Sequence, residues 1–332
     1  MSFVPASALA PVYAAIDLGT NNCRMLVAQP SGDGFKVLDC WSRITRLGEG
    51  LAASGRLSAE AMDRTVAALR YCADRMARNR VTRARLVATE ACRRAANHQE
   101  FSTRVRAEAG LELDVIAADE EAALALAGCA SLLDRDRDRA LVFDIGGGST
   151  ELVWVDNAVD RRRIDGVLSL PLGVVTLAER HAARLATAEG YRLVVAEVAE
   201  RLVPFEADHR IGAALASGRM QMLGTSGTVT TLAALHLGLE RYDRWLVDGL
   251  ELDFNAIATV SRRLVAMTAD QRARLGCVGP ERADLVVAGC AILEAICGLW
   301  PLGRLRVADR GVREGVLQGL IEADAMAAEQ IR

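Results

Sequence analysis

Lysine is all but missing from this 332-residue chain: Lys36 is the single exception among 40 basic residues, and the rest are arginine. Genomic base composition accounts for such a bias as readily as function does, although arginine's planar fork also suits bidentate phosphate recognition. No global basic field advertises nucleic acid as a partner, because the net charge is -3. Histidine is scarce and scattered (His98, His181, His209, His236), which argues against a histidine-built metal centre. The eight cysteines, at 23, 40, 72, 92, 129, 277, 290 and 297, form no C-x-x-C and lie mostly in apolar stretches. They read as reduced thiols, neither a disulfide framework nor a zinc site. No apolar run approaches the ~18–20 residues that span a bilayer. The N-terminus lacks a basic region, and Pro5 and Pro11 interrupt its apolar residues, so it makes a poor signal peptide. The expectation is a cytoplasmic protein with no nucleic-acid or membrane partner.

What is present is an alternation of strand-like and helix-like stretches, the pattern of an α/β protein. After a loose tail (1–11), the apolar run 12–17 reads as a strand, the turn Gly-Thr-Asn-Asn follows, and strands resume over 24–29 and 35–41. Ser58 starts a helix whose Met62, Val66, Leu69, Ala73 and Met76 share one face. Strands are expected at 85–89 and 115–117, and a helix over 120–133 that ends in the charged stretch 134–139, taken as a domain boundary. There the opening motif returns. Ala140–Asp144 leads into Ile-Gly-Gly-Gly-Ser-Thr and then into the strand 151–155, so that Asp17-Leu-Gly-Thr overlays Asp144-Ile-Gly-Gly. A repeat that long is no solenoid and suggests two related halves opening with the same hairpin. Arg161–Arg163 reads as an exposed turn. A strand at 221–224 enters the loop Thr225-Ser-Gly-Thr228 and a helix, Pro280 opens a buried helix over 281–299, and the strand 304–308 precedes Asp309-Arg-Gly-Val-Arg-Glu-Gly315 and a terminal helix.

Three loops can carry chemistry. The Asp144 loop is not a dinucleotide fingerprint, which needs a helix directly after its glycines; here a strand follows. Glycines in a hairpin turn still expose N–H groups as an anion nest, and the bland alternative is a plain glycine turn. Asp17, Asp144 and Glu151 beside such nests make sense if a hard cation lies between carboxylate and phosphate, because Mg²⁺ takes one or two carboxylates plus phosphate oxygens and water. Ser226, Gly227 and Thr228 enter a helix whose N-terminus would favour an anion, or they simply cap it. Asp119, Glu120 and Glu121 either offset a helix dipole or supply a base that orients water. Arg93 and Arg94, Arg310 and Arg313 could clamp phosphate oxygens, with solvation as the default; Arg43 and Arg46 could add to a local cluster on an otherwise acidic protein.

These stretches in this order resemble the actin/sugar-kinase/heat-shock-ATPase superfamily, and within it the exopolyphosphatase/guanosine pentaphosphate phosphatase family in its short, two-domain form. The resemblance rests on 15–24, Arg46-Leu-Gly-Glu-Gly-Leu51, 88–97, Asp119-Glu-Glu-Ala122, Phe143-Asp-Ile-Gly-Gly-Gly-Ser-Thr-Glu151, 224–228 and 309–315. It implies two actin-like (ribonuclease H-like) α/β domains with mixed five-stranded sheets flanking a central cleft: 12–135 plus 311–332, and 136–310. It implies Glu121 as the catalytic base with Arg93 facing the cleft, and phosphate held by Gly19, Thr20, Asn21, Asn22, Gly146, Gly147, Gly148, Ser149, Ser226, Gly227 and Thr228. Mg²⁺, or Mn²⁺, would lie at Asp17, Asp144 and Glu151, and the protein would be a homodimer. The implied reaction is in-line attack of water on the terminal phosphoryl of inorganic polyphosphate or guanosine pentaphosphate. An ATP-using kinase or ATPase of the same superfamily, or a non-catalytic sensor, are the competing readings.

Overall fold

The computed structural model describes residues 10–32, 34–158 and 162–330. The expected tail lies mostly outside them, as does Arg161. Among the described residues, eleven strands form two sheets. The first contains β1 (Tyr13–Leu18), β2 (Asn22–Ser31), β3 (Gly34–Ile44), β4 (Arg83–Ala88) and β5 (Leu113–Val115), in the order β3-β2-β1-β4-β5. The second contains β6 (Arg139–Ile145), β7 (Thr150–Asp156), β8 (Arg163–Leu170), β9 (Met220–Thr225), β10 (Glu251–Asp253) and β11 (Arg304–Ala308), in the order β10-β11-β9-β6-β7-β8. In each, the first three strands form an antiparallel meander and two later strands (β4 and β5 in the first, β9 and β11 in the second) join parallel to the first. The two sheets thus repeat one topology, that of the expected two-domain actin-like fold. The second adds a sixth strand, β10, a three-residue edge strand antiparallel to β11. Arg163, expected in a turn, instead opens β8.

The central strands are covered on both faces, which is why they read as continuous apolar runs. Ala14, Ile16 and Leu18 face one core cluster while Tyr13 and Ala15 face another. Leu141, Phe143 and Ile145 likewise face one cluster and Ala140 and Val142 another. By this alternation Asp17 and Asp144, each one residue from the end of its strand, lie on faces shared with the helix Ala118–Cys129, and the Asp17 face also meets the helix Val312–Gln330. Those helices pack against each other with backbone in contact. A Cβ on Gly128 would lie 2.0 Å from the Gly311 carbonyl oxygen, and one on Gly315 would lie 2.1 Å from that of Leu124.

Elsewhere the local signals act as expected. The Ser58 hydroxyl accepts the Ala61 N–H at 3.1 Å and caps the helix Ala59–Arg78, which buries Met62, Val66, Leu69 and Met76. The helix expected from 281 starts later, at Val286. The preceding residues close two tight turns, Arg282 N–H to Gly279 C=O and Leu285 N–H to Arg282 C=O, following the left-handed Gly279 (φ 71°).

Candidate active site

The two Asp-Gly hairpins meet turn to turn. Each closes with the same bond, Gly19 N–H to Asn22 C=O and Gly146 N–H to Ser149 C=O, both 2.9 Å. Ideal Cβ atoms on Gly147 and Gly148 would lie 3.0 Å from the Asn21 nitrogen and 2.4 Å from Thr20 Oγ1, so only glycine fits where the second turn abuts the first. The carbonyls of Gly146 and Gly147 accept the N–H groups of Val174 and Val175 at 2.9 and 2.8 Å, which fixes the turn against the helix Val174–Leu185. Among the described residues, the N–H groups of Thr20, Asn21, Gly147 and Gly148 have no protein acceptor. Thr20 Oγ1, Asn21 Oδ1 and Asn22 Oδ1 are buried without a partner. Orphaned polar atoms of this kind are costly unless a ligand or water satisfies them.

A cavity of about 100 Å³ opens between these turns. It gathers Asp17, Gly19, Thr20, Asn21, Asn22, Glu121, Asp144, Gly146, Gly147, Gly148, Ser149, Ser226, Gly227 and Thr228, that is, every expected site residue except Arg93 and Glu151. Those two stand just behind it. Arg93 donates to Glu121 Oε2 at 2.6 Å, to Glu90 Oε2 at 3.1 Å and to the Ile116 carbonyl at 3.1 Å. It also comes within 4.0 Å of Glu151, whose carboxylate accepts the Ser169 hydroxyl at 3.0 Å. Among the described residues the second carboxylate oxygen of Glu121 has no protein donor, and Glu121 lines the cavity.

Burial shifts Glu121, Glu151, Asp144 and Asp17 toward protonation. Desolvation, then the nearby Glu151, pushes Glu121 well above the ordinary carboxylate range, against the opposing charge of Arg93. Burial pushes Glu151 up to about 7, opposed by the Ser149 and Ser169 hydroxyls and by Arg93. Burial also pushes Asp144 up to about 6, with Arg24 opposing and Asp17 adding to the shift. Asp17 rises for the same first reason, held back by Arg24 and Arg313.

Arg24, Arg282 and Glu90 also line the cavity, and the sequence reading did not single them out as site residues. Arg24 stands directly across the β1–β2 ladder from Asp17, and Glu151 holds the same place opposite Asp144. A Cβ on Gly227 would lie 3.7 Å from Arg24 Nη2 and 3.9 Å from Arg282 Nη1, so two guanidinium groups flank the N-terminus of the helix Gly227–His236. Neither makes an ion pair within 4.0 Å among the described residues. Ser226 holds a strained φ of 132°, and its hydroxyl accepts the N–H groups of Thr228 and Val229 at 3.1 and 3.3 Å, so that hydroxyl caps the helix. Arg310 is not available for phosphate, since it donates to Asp248 at 2.9 Å and to Ser131 at 3.1 Å. Arg43, Arg46 and Arg94 do not line the cavity.

The acidic residues are not a ready-made metal cage: among the described residues no three His, Cys, Asp or Glu side chains converge as a metal cluster. Asp17 and Asp144, which accept no hydrogen bond from described residues, still fit Mg²⁺, an ion that draws most of its ligands from phosphate oxygens and water.

The sequence pattern of the Ppx/GppA phosphatase family matches residues 26–323. The chain belongs to that family. It is 32% identical over 297 residues to exopolyphosphatase 2 of Mycobacterium tuberculosis, covering 85% of this chain and 89% of that one. The Ppx/GppA family member of Aquifex aeolicus superposes with a TM-score of 0.78 at 29% identity, covering 95% and 98% of the two chains. An exopolyphosphatase of Cytophaga hutchinsonii, 24% identical, shares the fold with a TM-score of 0.83 over 94% and 98%. Family membership makes a phosphatase chemistry the frame in which this Ppx/GppA chain's cavity is read.

Proposed function

We propose that this chain is an exopolyphosphatase that removes the terminal phosphoryl group of inorganic polyphosphate with a water activated by Glu121. The observation that carries the reading is Glu121, which lines the cavity between the two glycine turns with one carboxylate oxygen unpartnered among the described residues. The terminal phosphoryl lies between the turns, where the free N–H groups of Thr20, Asn21, Gly147 and Gly148 bind its oxygens. Arg24 and Arg282, beside the helix N-terminus at Gly227, offset the charge of the phosphates behind it. Arg93 holds Glu121 through Oε2 and leaves the other oxygen to take the water's proton as the water attacks phosphorus in line. The P–O bond to the next phosphoryl breaks, and the shortened chain departs with that oxygen's charge. Burial raises the basicity of Glu121 toward the working pH, as a general base requires. Asp17 and Asp144 would hold Mg²⁺ (or Mn²⁺), with Glu151 across the ladder from Asp144, and the ion when bound would neutralise charge on the transferring oxygens. Most of the acceleration then comes from positioning and charge neutralisation.

Guanosine pentaphosphate offers the same terminal phosphoryl and remains the alternative substrate. The test is phosphate release from polyphosphate, guanosine pentaphosphate and ATP, each with Mg²⁺ and with Mn²⁺. The proposal expects polyphosphate to be turned over best. Faster release from guanosine pentaphosphate would make the alarmone the main substrate, and turnover of ATP with inert polyphosphate would sink the hydrolase reading.

A further inference from the structure

Arg46 carries none of the chemistry described so far, yet it is bonded to both sides of the cleft. Its backbone holds the first phosphate turn: the N–H groups of Thr45 and Arg46 donate to the Asn21 carbonyl at 2.9 and 3.0 Å, and that of Gly48 donates to the Thr20 carbonyl at 2.9 Å. Arg46 pays for this position with a left-handed φ of 49°. Its side chain crosses to the other half of the molecule. Nη2 donates to the Glu281 carbonyl at 3.2 Å and lies 3.2 Å from the Asp284 carboxylate. Those two acceptors bracket Arg282, the cavity arginine with no ion pair within 4.0 Å among the described residues. The Arg282 segment is a pair of tight turns ahead of the helix, joined to it where the Arg282 carbonyl accepts the Leu285 and Val286 N–H groups at 3.0 and 2.9 Å, and held from its own half by Arg272, which donates to the Ala283 carbonyl at 2.8 Å. Four residues beyond Arg46, the Gly50 N–H donates across the cleft to Glu179 Oε1 at 3.0 Å. Beyond this seam lies a second cavity, of about 410 Å³, which shares Asn21 and Leu285 with the first.

We propose that Arg46 is a positioning residue that locks the Arg282 turn against the Thr20–Asn21 turn when the cleft is closed, setting how tightly a polyphosphate chain is held. No phosphate can pass between two turns already in van der Waals contact, so admission on this face requires that they part and that the Arg46 bridge break with them. The bridge is half-exposed, with Arg46 33% and Asp284 51% accessible. Pairs of that kind are weak, as befits a contact made and broken in each cycle.

The proposal rests on the reading of Arg282 as a phosphate contact, and the test separates the two. With inorganic tripolyphosphate and Mg²⁺, Arg46→Ala raises KM about five-fold and leaves kcat within about two-fold, the pattern of lost uniform binding. Asp284→Ala, at an exposed position that guards against misfolding as the cause, gives part of that rise. The double variant is no worse than Arg46→Ala alone, because both changes cut one bridge. An unchanged KM in Arg46→Ala, or additive losses in the double variant, overturns the proposal. Hydrogen exchange without substrate provides a readout independent of chemistry: the Gly50 amide exchanges faster in Arg46→Ala, and equal rates overturn the latch. If the unaltered chain hydrolyses no phosphoanhydride, the functional reading fails while the exchange result still decides the latch.

Discussion

The two hairpins share strand pairing, turn closure and an aspartate at the same place, yet they differ in what stands across the ladder from that aspartate. Asp17 faces Arg24, and Asp144 faces Glu151. One turn therefore presents a carboxylate with a cation, the other a carboxylate with a carboxylate. A duplicated scaffold has been charged in opposite senses. The first half is suited to bind anionic oxygen, while the second repels it unless a cation or a proton intervenes. Burial raises Asp144 to about 6 and Glu151 to about 7, and the charge of Asp144 adds to the rise of Glu151.

The largest effect should come from outside both hairpins. Glu121→Gln is expected to lower kcat by about 10²–10⁴-fold with KM little changed, in steady-state phosphate release. Because burial raises Glu121 and the base acts ionised, kcat/KM of the unaltered protein should rise with pH above the ordinary carboxylate range. Full activity at pH 4 would remove Glu121 from the role of base. Next comes a direct break of the asymmetry. Arg24→Glu makes the first hairpin a charge copy of the second and should raise KM by about 10–100-fold, the loss of a charge-assisted phosphate bond. A KM equal to that of the unaltered chain would mean that the opposite charging has no bearing on substrate.

Glycine substitutions sharpen the comparison sterically. A Cβ on Gly19 meets its nearest atom at 3.6 Å, whereas one on Gly148 meets Thr20 Oγ1 at 2.4 Å. Gly148→Ala should destabilise by about 1–3 kcal/mol, the usual cost of overpacking, and Gly19→Ala should fall below that range. Chemical denaturation measures both, and equal losses would show that the turns do not abut in solution. The smallest effect is a pH-dependent one. Glu151 binds its proton more tightly folded than unfolded, so its stabilising contribution is full below about pH 4.5 and is lost as pH rises through about 7. Without metal, Glu151→Gln should therefore raise Tm at pH 8 by on the order of 2–4 °C and leave it unchanged near pH 4. A lower Tm at pH 8 would mean that its hydrogen bonds to serine outweigh its burial.

The hairpins were legible because central strands covered on both faces leave unbroken apolar runs, and glycine clusters mark where those runs turn. Glu121 was legible as a carboxylate beside them, and the structure adds that it lines the cavity with one oxygen spoken for. Arg24 lay within the matching stretch, but its contrast with Glu151 depends on ladder register, which is a property of paired strands and not of either strand alone. Arg282 was hidden by the apolar pattern that follows it: periodicity extended the helix back to 281, and only the backbone shows the turns that aim the side chain into the cavity. Strand β10 is three residues long and has no periodic signal to read. The helix Ala188–His209 contains Pro204, a residue that argues against helix in any local reading.

The crossing at Gly128 and Gly315 has a mechanical meaning. With no side chain at either glycine, the two helices meet backbone to backbone, and Leu124, Ala125, Val312 and Val316 pack around the crossing. The joint leaves no room for a methyl group at either position. The helix that carries Glu121 is therefore seated against its neighbour by two hydrogen atoms where every other residue would have placed a carbon.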